Sequence, residues 1–86
     1  MASVEQVRHG ISQATEKARE SVNALQQAVT ALEEAQTALH QVTQGSSQSD
    51  AEQAANLLTQ AVSSIGETQS QVQSAISTAE GYANRL

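Results

Sequence analysis

Apolar residues recur along this chain at alternating steps of three and four. Val4, Ile11, Ala18, Leu25, Leu32 and Leu39 are spaced by seven, and Val7, Ala14, Ser21, Ala28, Ala35 and Val42 each follow three later. The second half repeats the two rows. Ala51, Leu58, Ile65, Val72, Ala79 and Leu86 form one, and Ala54, Ala61, Thr68, Ala75 and Tyr82 the other. A strand changes face every two residues and cannot use this period, whereas a helix lines such positions along one side. The pattern predicts an all-α protein with two amphipathic helices, at about 4–43 and 50–84.

The one interruption, "VTQGSSQSDAE" at 42–52, reads as a helix end, a turn and a helix start. Gly45 stands just past the last apolar residue of the first helix, where a left-handed C-cap is favoured. Ser49 and Glu52 have the spacing of a capping box, as do Ser3 and Gln6 at the first helix start. A turn at 44–49 is short enough to force the helices antiparallel, giving one helical-hairpin domain over residues 1–86. Folding about Gly45 would bring Leu39 to Ala51, Ala18 to Val72 and Ile11 to Ala79, with Glu5 near Arg85 and Arg8 near Tyr82. Each helix would be about 55–60 Å long.

More apolar residues are present than a two-helix seam needs. Val22 and Val29 on the first helix, and Ala55, Val62, Ile76 and Ala83 on the second, stand beside the heptad rows. They are the candidate association surface, because an apolar shoulder of this length marks a contact with another chain. The expected assembly is a dimer of hairpins forming a four-helix bundle. Composition points the same way. The 86 residues include no Pro, Cys, Trp or Phe, and Tyr82 is the only aromatic. A small domain built from Ala, Val, Leu and Ile has little apolar area of its own to bury.

Charge and missing motifs narrow the function. A net charge of −5 argues against nucleic acid as the main partner. "MASVEQVRHG" has no apolar run of signal-peptide length, and no segment approaches the roughly 20 apolar residues of a membrane span. The cytoplasm is the default location, with export without a cleaved signal peptide as the alternative. His9 and His40 are the only imidazoles, and neither has a second His at ligand spacing. The turn has a single Gly and no Lys, unlike a phosphate-binding loop. The sequence predicts no enzyme, no metal and no cofactor.

Two helices of about forty residues joined by one central turn, in a short, acidic, Ala- and Gln-rich chain, resemble the Trp-x-Gly helical-hairpin proteins of type VII secretion. The likeness spans the whole chain and lies in architecture. At the turn, Thr43-Gln44-Gly45 matches the glycine of the Trp-x-Gly signature, and the Trp is absent. The family's export signal has an acidic residue four after a Tyr, where Tyr82 is followed by Leu86. The "SVEQVR" start and "AEGYANRL" end also look like short helical proteins of high-GC actinobacteria. The hairpin resemblance implies small homo- or heterodimers acting as adaptors or cargo escorts. The expected function is a protein–protein interaction module that pairs with itself or with a related small helical protein. The alternative is an amphipathic protein lying on a membrane surface, a role that calls for more Lys, Arg and aromatic residues than this chain has.

Overall fold

The computed structural model describes residues 3–45 and 49–86. Two helices, α1 over Val4–Val42 and α2 over Ser49–Arg85, account for nearly all of them. No strand occurs among the described residues. The helices pack side by side as a hairpin 64 Å long and 17 by 15 Å across.

Local chemistry sets the helix ends. Ser3 is extended, its Oγ accepts the Gln6 N–H at 3.1 Å, and the Gln6 Oε1 accepts the Ser3 N–H at 2.9 Å. This capping box satisfies two N–H groups that lack intrahelical partners. At the other end the cap residue is Thr43, whose N–H and Oγ1 both donate to the Leu39 carbonyl, at 3.0 and 2.7 Å. Gly45 lies two residues further on with φ +83°, a backbone angle that disfavours any side chain. Ser49, expected as the second N-cap, is instead the first residue of α2. Residues 46–48 of the expected turn lie outside the described residues. Asp50 and Glu52 fall in the first turn of α2, where carboxylates meet the positive end of the helix dipole.

The seam between the helices differs from the one the heptads suggested. The row Ile11, Ala18, Leu25, Leu32 and Leu39 is half-buried, as expected. Its companion is the row four residues later, Thr15, Val22, Val29, Gln36 and Thr43, rather than the row three later. In α2 the seam likewise runs through Ala51, Leu58, Ile65, Val72 and Ala79 with Ala55, Val62, Gln69, Ile76 and Ala83. Each helix is therefore turned by about 50° about its axis relative to expectation. Bulk accounts for the choice. Val22, Val29, Val62 and Ile76 each remove more apolar area from water than the alanines that dominate the other row.

The register is displaced as well. Gln36 Nε2 donates to Thr59 Oγ1 at 2.8 Å, and Gln69 Nε2 donates to Gln26 Oε1 at 3.2 Å. In both pairs the residue numbers sum to 95, where folding about Gly45 required 90. The hairpin is thus centred a few residues beyond Gly45. Near this register the half-buried rows come level, Ala18 with Ile76 and Leu39 with Ala55, so that large faces small towards the ends, while Leu32 comes level with Val62 and large faces large in the middle. Glu5 falls beyond the last turn of α2 and pairs with Arg8 at 3.8 Å, not with Arg85. Tyr82 comes level with Ser12 rather than Arg8.

Candidate interaction surface

An antiparallel pair of helices has two long sides, one on each flank of the seam. The flank one residue past the leading row of each helix carries Ser12, Arg19, Gln26, Glu33 and His40 on α1, and Glu52, Thr59, Gly66, Gln73 and Glu80 on α2. All are polar except Gly66, and this side is bonded across. Arg19 forms an ion pair with Glu80. The Gln36 and Gln69 amides reach their partners here, and the Thr59 hydroxyl that accepts from Gln36 donates on to the Ala55 carbonyl at 3.1 Å. A shallow groove lined by Arg19, Val22, Asn23, Gln73, Ile76, Ser77 and Glu80 runs along it.

The opposite flank holds the displaced heptad row: Ala14, Ser21, Ala28, Ala35 and Val42 on α1, and Ala54, Ala61, Thr68, Ala75 and Tyr82 on α2. None of these is charged. Ala28, Ala54 and Ala61 are half-buried against the seam, and the others are exposed, Val42 by 81% and Tyr82 by 48%. Leu57, 64% exposed, adjoins this side. No cross-helix side-chain hydrogen bond or ion pair is found on it among the described residues.

The six residues read as an outer association shoulder are therefore relocated. Val22, Val29, Ala55, Val62 and Ala83 are half-buried in the hairpin's own seam, and Ile76 is buried there at 7% exposure. Surplus apolar surface exists, but on the other row. Counting apolar residues favoured placing that row inside, since α1 has Arg8, Thr15, Gln36 and Thr43 in the row that is in fact used. The signal that would have found the seam was side-chain volume. Sequence reasoning also missed Gln36, Gln69 and the Arg19–Glu80 pair. The pairing of each depends on the true register.

Within the described residues the hairpin has almost no interior. Ile76 is the one buried apolar side chain, Thr15 is the one buried polar residue, and no side chain is fully enclosed. The Thr15 hydroxyl donates to the Ser12 carbonyl at 3.1 Å, so its burial leaves no unmet hydrogen bond. The chain exposes 6313 Å², whereas a compact monomer of its mass exposes about 4,800 Å². Its radius of gyration is 19.4 Å, against about 12 Å for a compact chain of this length.

Among the described residues, no three His, Cys, Asp or Glu side chains gather as a metal site. His9 and His40 are both exposed. No helix is long and apolar enough to cross a membrane, judged over the described residues. The fold places the chain in the class of antiparallel two-helix hairpins. Comparison with family models, curated proteins and solved structures found no match to it.

Proposed function

We propose that this chain is a non-enzymatic protein–protein interaction module, a helical hairpin that completes its core by pairing with another hairpin, either its own copy or a related one. The supporting observation is the missing interior: no side chain is fully enclosed, and the chain exposes about 1,500 Å² more than a compact monomer would. An amphipathic helix gains most of its stability from packing its apolar face. Two helices meeting along one narrow seam leave much of that gain to be made elsewhere.

The shared hairpin architecture supports an adaptor or cargo-escort role like that of the type VII secretion hairpins. At the motif level the support is Gly45 alone. An actinobacterial origin rests on the end sequences quoted above. The cytoplasm is the default location, with export without a cleaved signal peptide as the alternative.

Light scattering coupled to size-exclusion chromatography, with thermal melting followed by circular dichroism over a hundredfold concentration range, tests the reading. The expected result is either a two-chain species whose melting temperature rises with concentration, or a loosely helical monomer that tightens when a related hairpin is added. A monomer that melts cooperatively at one temperature across the whole range would overturn it, because such a hairpin needs no other chain.

A further inference from the structure

We infer that the uncharged flank carrying Ala14, Ala35, Val42, Ala61, Ala75 and Tyr82 is the surface on which a second copy of this chain docks, face to face, while the flank carrying Arg19 and Glu80 stays in water. The inference rests on the interaction-module reading and names its partner and its face.

Area is the first argument. The chain exposes about 1,500 Å² more than a compact chain of its mass, spread over the whole elongated hairpin, and a dimer that removed that excess from both chains would bury about 3,000 Å² in total. Obligate homodimers bury about 2,000–5,000 Å². One long flank of a 64 Å hairpin is an extended surface of suitable length for this. Charge is the second argument. A chain of net charge −5 repels its own copy unless the contact excludes its carboxylates, and every position of this flank row is uncharged. The charged residues that border it, Lys17, Asp50 and Arg85, stand at its margin, as Leu57 does.

Side-chain size is the third argument. Alanines along the middle of both rows let helix backbones approach closely. The exposed Val42 near the turn and Tyr82 at the open end give the flank larger anchors at its two ends. The opposite flank lacks these properties. Its Arg19, Glu80, Gln26 and Thr59 side chains are already bonded within the hairpin, and docking there would desolvate Arg19 and Glu80.

The test uses two double substitutions that change net charge equally. Ala35→Glu with Ala75→Glu alters the uncharged flank at two exposed positions, where the added carboxylates stay in water in a lone hairpin. Ser12→Glu with Gln73→Glu alters the polar flank. Light scattering and sedimentation should show the wild type as a dimer of two 9.0 kDa chains. The first variant should weaken the dimer at least about a hundredfold, and the second should change it by less than about threefold. Because the first variant could also lose helix once monomeric, a third preparation carries Ala35→Lys with Ala75→Lys. Mixing the Glu and Lys variants should restore a two-chain species and its helicity. Persistence of the dimer in the Ala35→Glu, Ala75→Glu variant would overturn the choice of face while leaving the module reading intact. Equal or greater loss in the Ser12→Glu, Gln73→Glu variant would do the same and assign docking to the polar flank. A loosely helical wild-type monomer at every concentration would overturn the second copy as occupant.

Discussion

The two flanks of this hairpin are built from the same helices and differ in one respect that governs the rest. On one side the side chains bond across the seam: Arg19 to Glu80, Gln36 to Thr59 and Gln69 to Gln26. On the other, alanines, Val42 and Tyr82 stand beside the seam, and no side-chain bond crosses between the helices there among the described residues. The polar flank fixes which residues of α1 meet which residues of α2, since a bond between named side chains exists at only one register. The apolar flank carries no such information within the chain. A hydrophobic surface constrains area and shape, and area can be buried against any matching surface. The comparison separates specificity inside the hairpin from capacity for association outside it.

The largest expected effect comes from the neighbours Ile76 and Ala75, which sit on opposite sides of that division. Ile76 is the best-buried apolar side chain in the seam, and Ala75 beside it is exposed on the uncharged flank. Ile76→Ala should cost about 2–4 kcal/mol of unfolding free energy, through lost burial and the gap left behind. Urea denaturation measures it directly. Ala75→Ser, which changes little volume, should lie within about 0.5 kcal/mol in the same measurement. A reversal of that order would mean that the seam uses the row three residues after the leading one, as the heptads first suggested.

That ambiguity shows what the residues could and could not reveal. The helices, their approximate ends and their antiparallel course follow from the period of seven, the Ser3–Gln6 box and the shortness of the turn. These are local properties, written in neighbouring residues. The rotation of each helix is not local. Two rows compete to join the leading row, and the choice turns on the summed burial of Val22, Val29, Val62 and Ile76 against that of the alanines, across both helices at once. Register was hidden for a related reason. Gly45 is the only glycine of the turn and so the natural point to fold about, although a left-handed residue can stand at one shoulder of a turn. An error of five in the residue sum moved the expected partner of Arg85 away, and it hid Glu80 from Arg19.

Gln36 and Gln69 offer a finer cut, because both belong to the seam and reach into the polar flank. Replacing both by Leu fills the seam with apolar volume and removes two cross-helix hydrogen bonds. A half-buried amide usually adds less stability than a packed Leu does, so the double variant should be more stable by about 1–2 kcal/mol. It should also be less uniform, because polar layers in a helical seam exclude alternative registers and oligomers. The expected outcome is a higher melting temperature together with several species in sedimentation velocity. A single sharp species of unchanged mass would show that the register is held elsewhere.

Gly66 tests the polar flank itself. It lies mid-helix on that side, and a Cβ built there meets nothing within 4 Å. Gly66→Ala should therefore stabilise the hairpin by about 1 kcal/mol through helix propensity alone, which calorimetry reads as a rise of several degrees. A fall instead, appearing only at concentrations where chains associate, would place another backbone against Gly66 and make the polar flank the docking side.

The smallest effect concerns Arg19 and Glu80, whose side chains are 55% and 45% exposed. An ion pair this open to water contributes only about 0.2–1 kcal/mol, because solvent screens the attraction and two long side chains must be held still. A double-mutant cycle with Arg19→Ala and Glu80→Ala should return a coupling in that range, shrinking as salt is raised from 0.05 to about 1 M. The informative part is what stays constant. If the pair lies on the water-facing flank, neither substitution should shift the monomer–dimer equilibrium by more than about threefold. A coupling above roughly 2 kcal/mol that survives high salt would mean that the pair is desolvated in the assembled protein. In that case the two flanks would exchange roles, and the bonded side would be the one hidden from water.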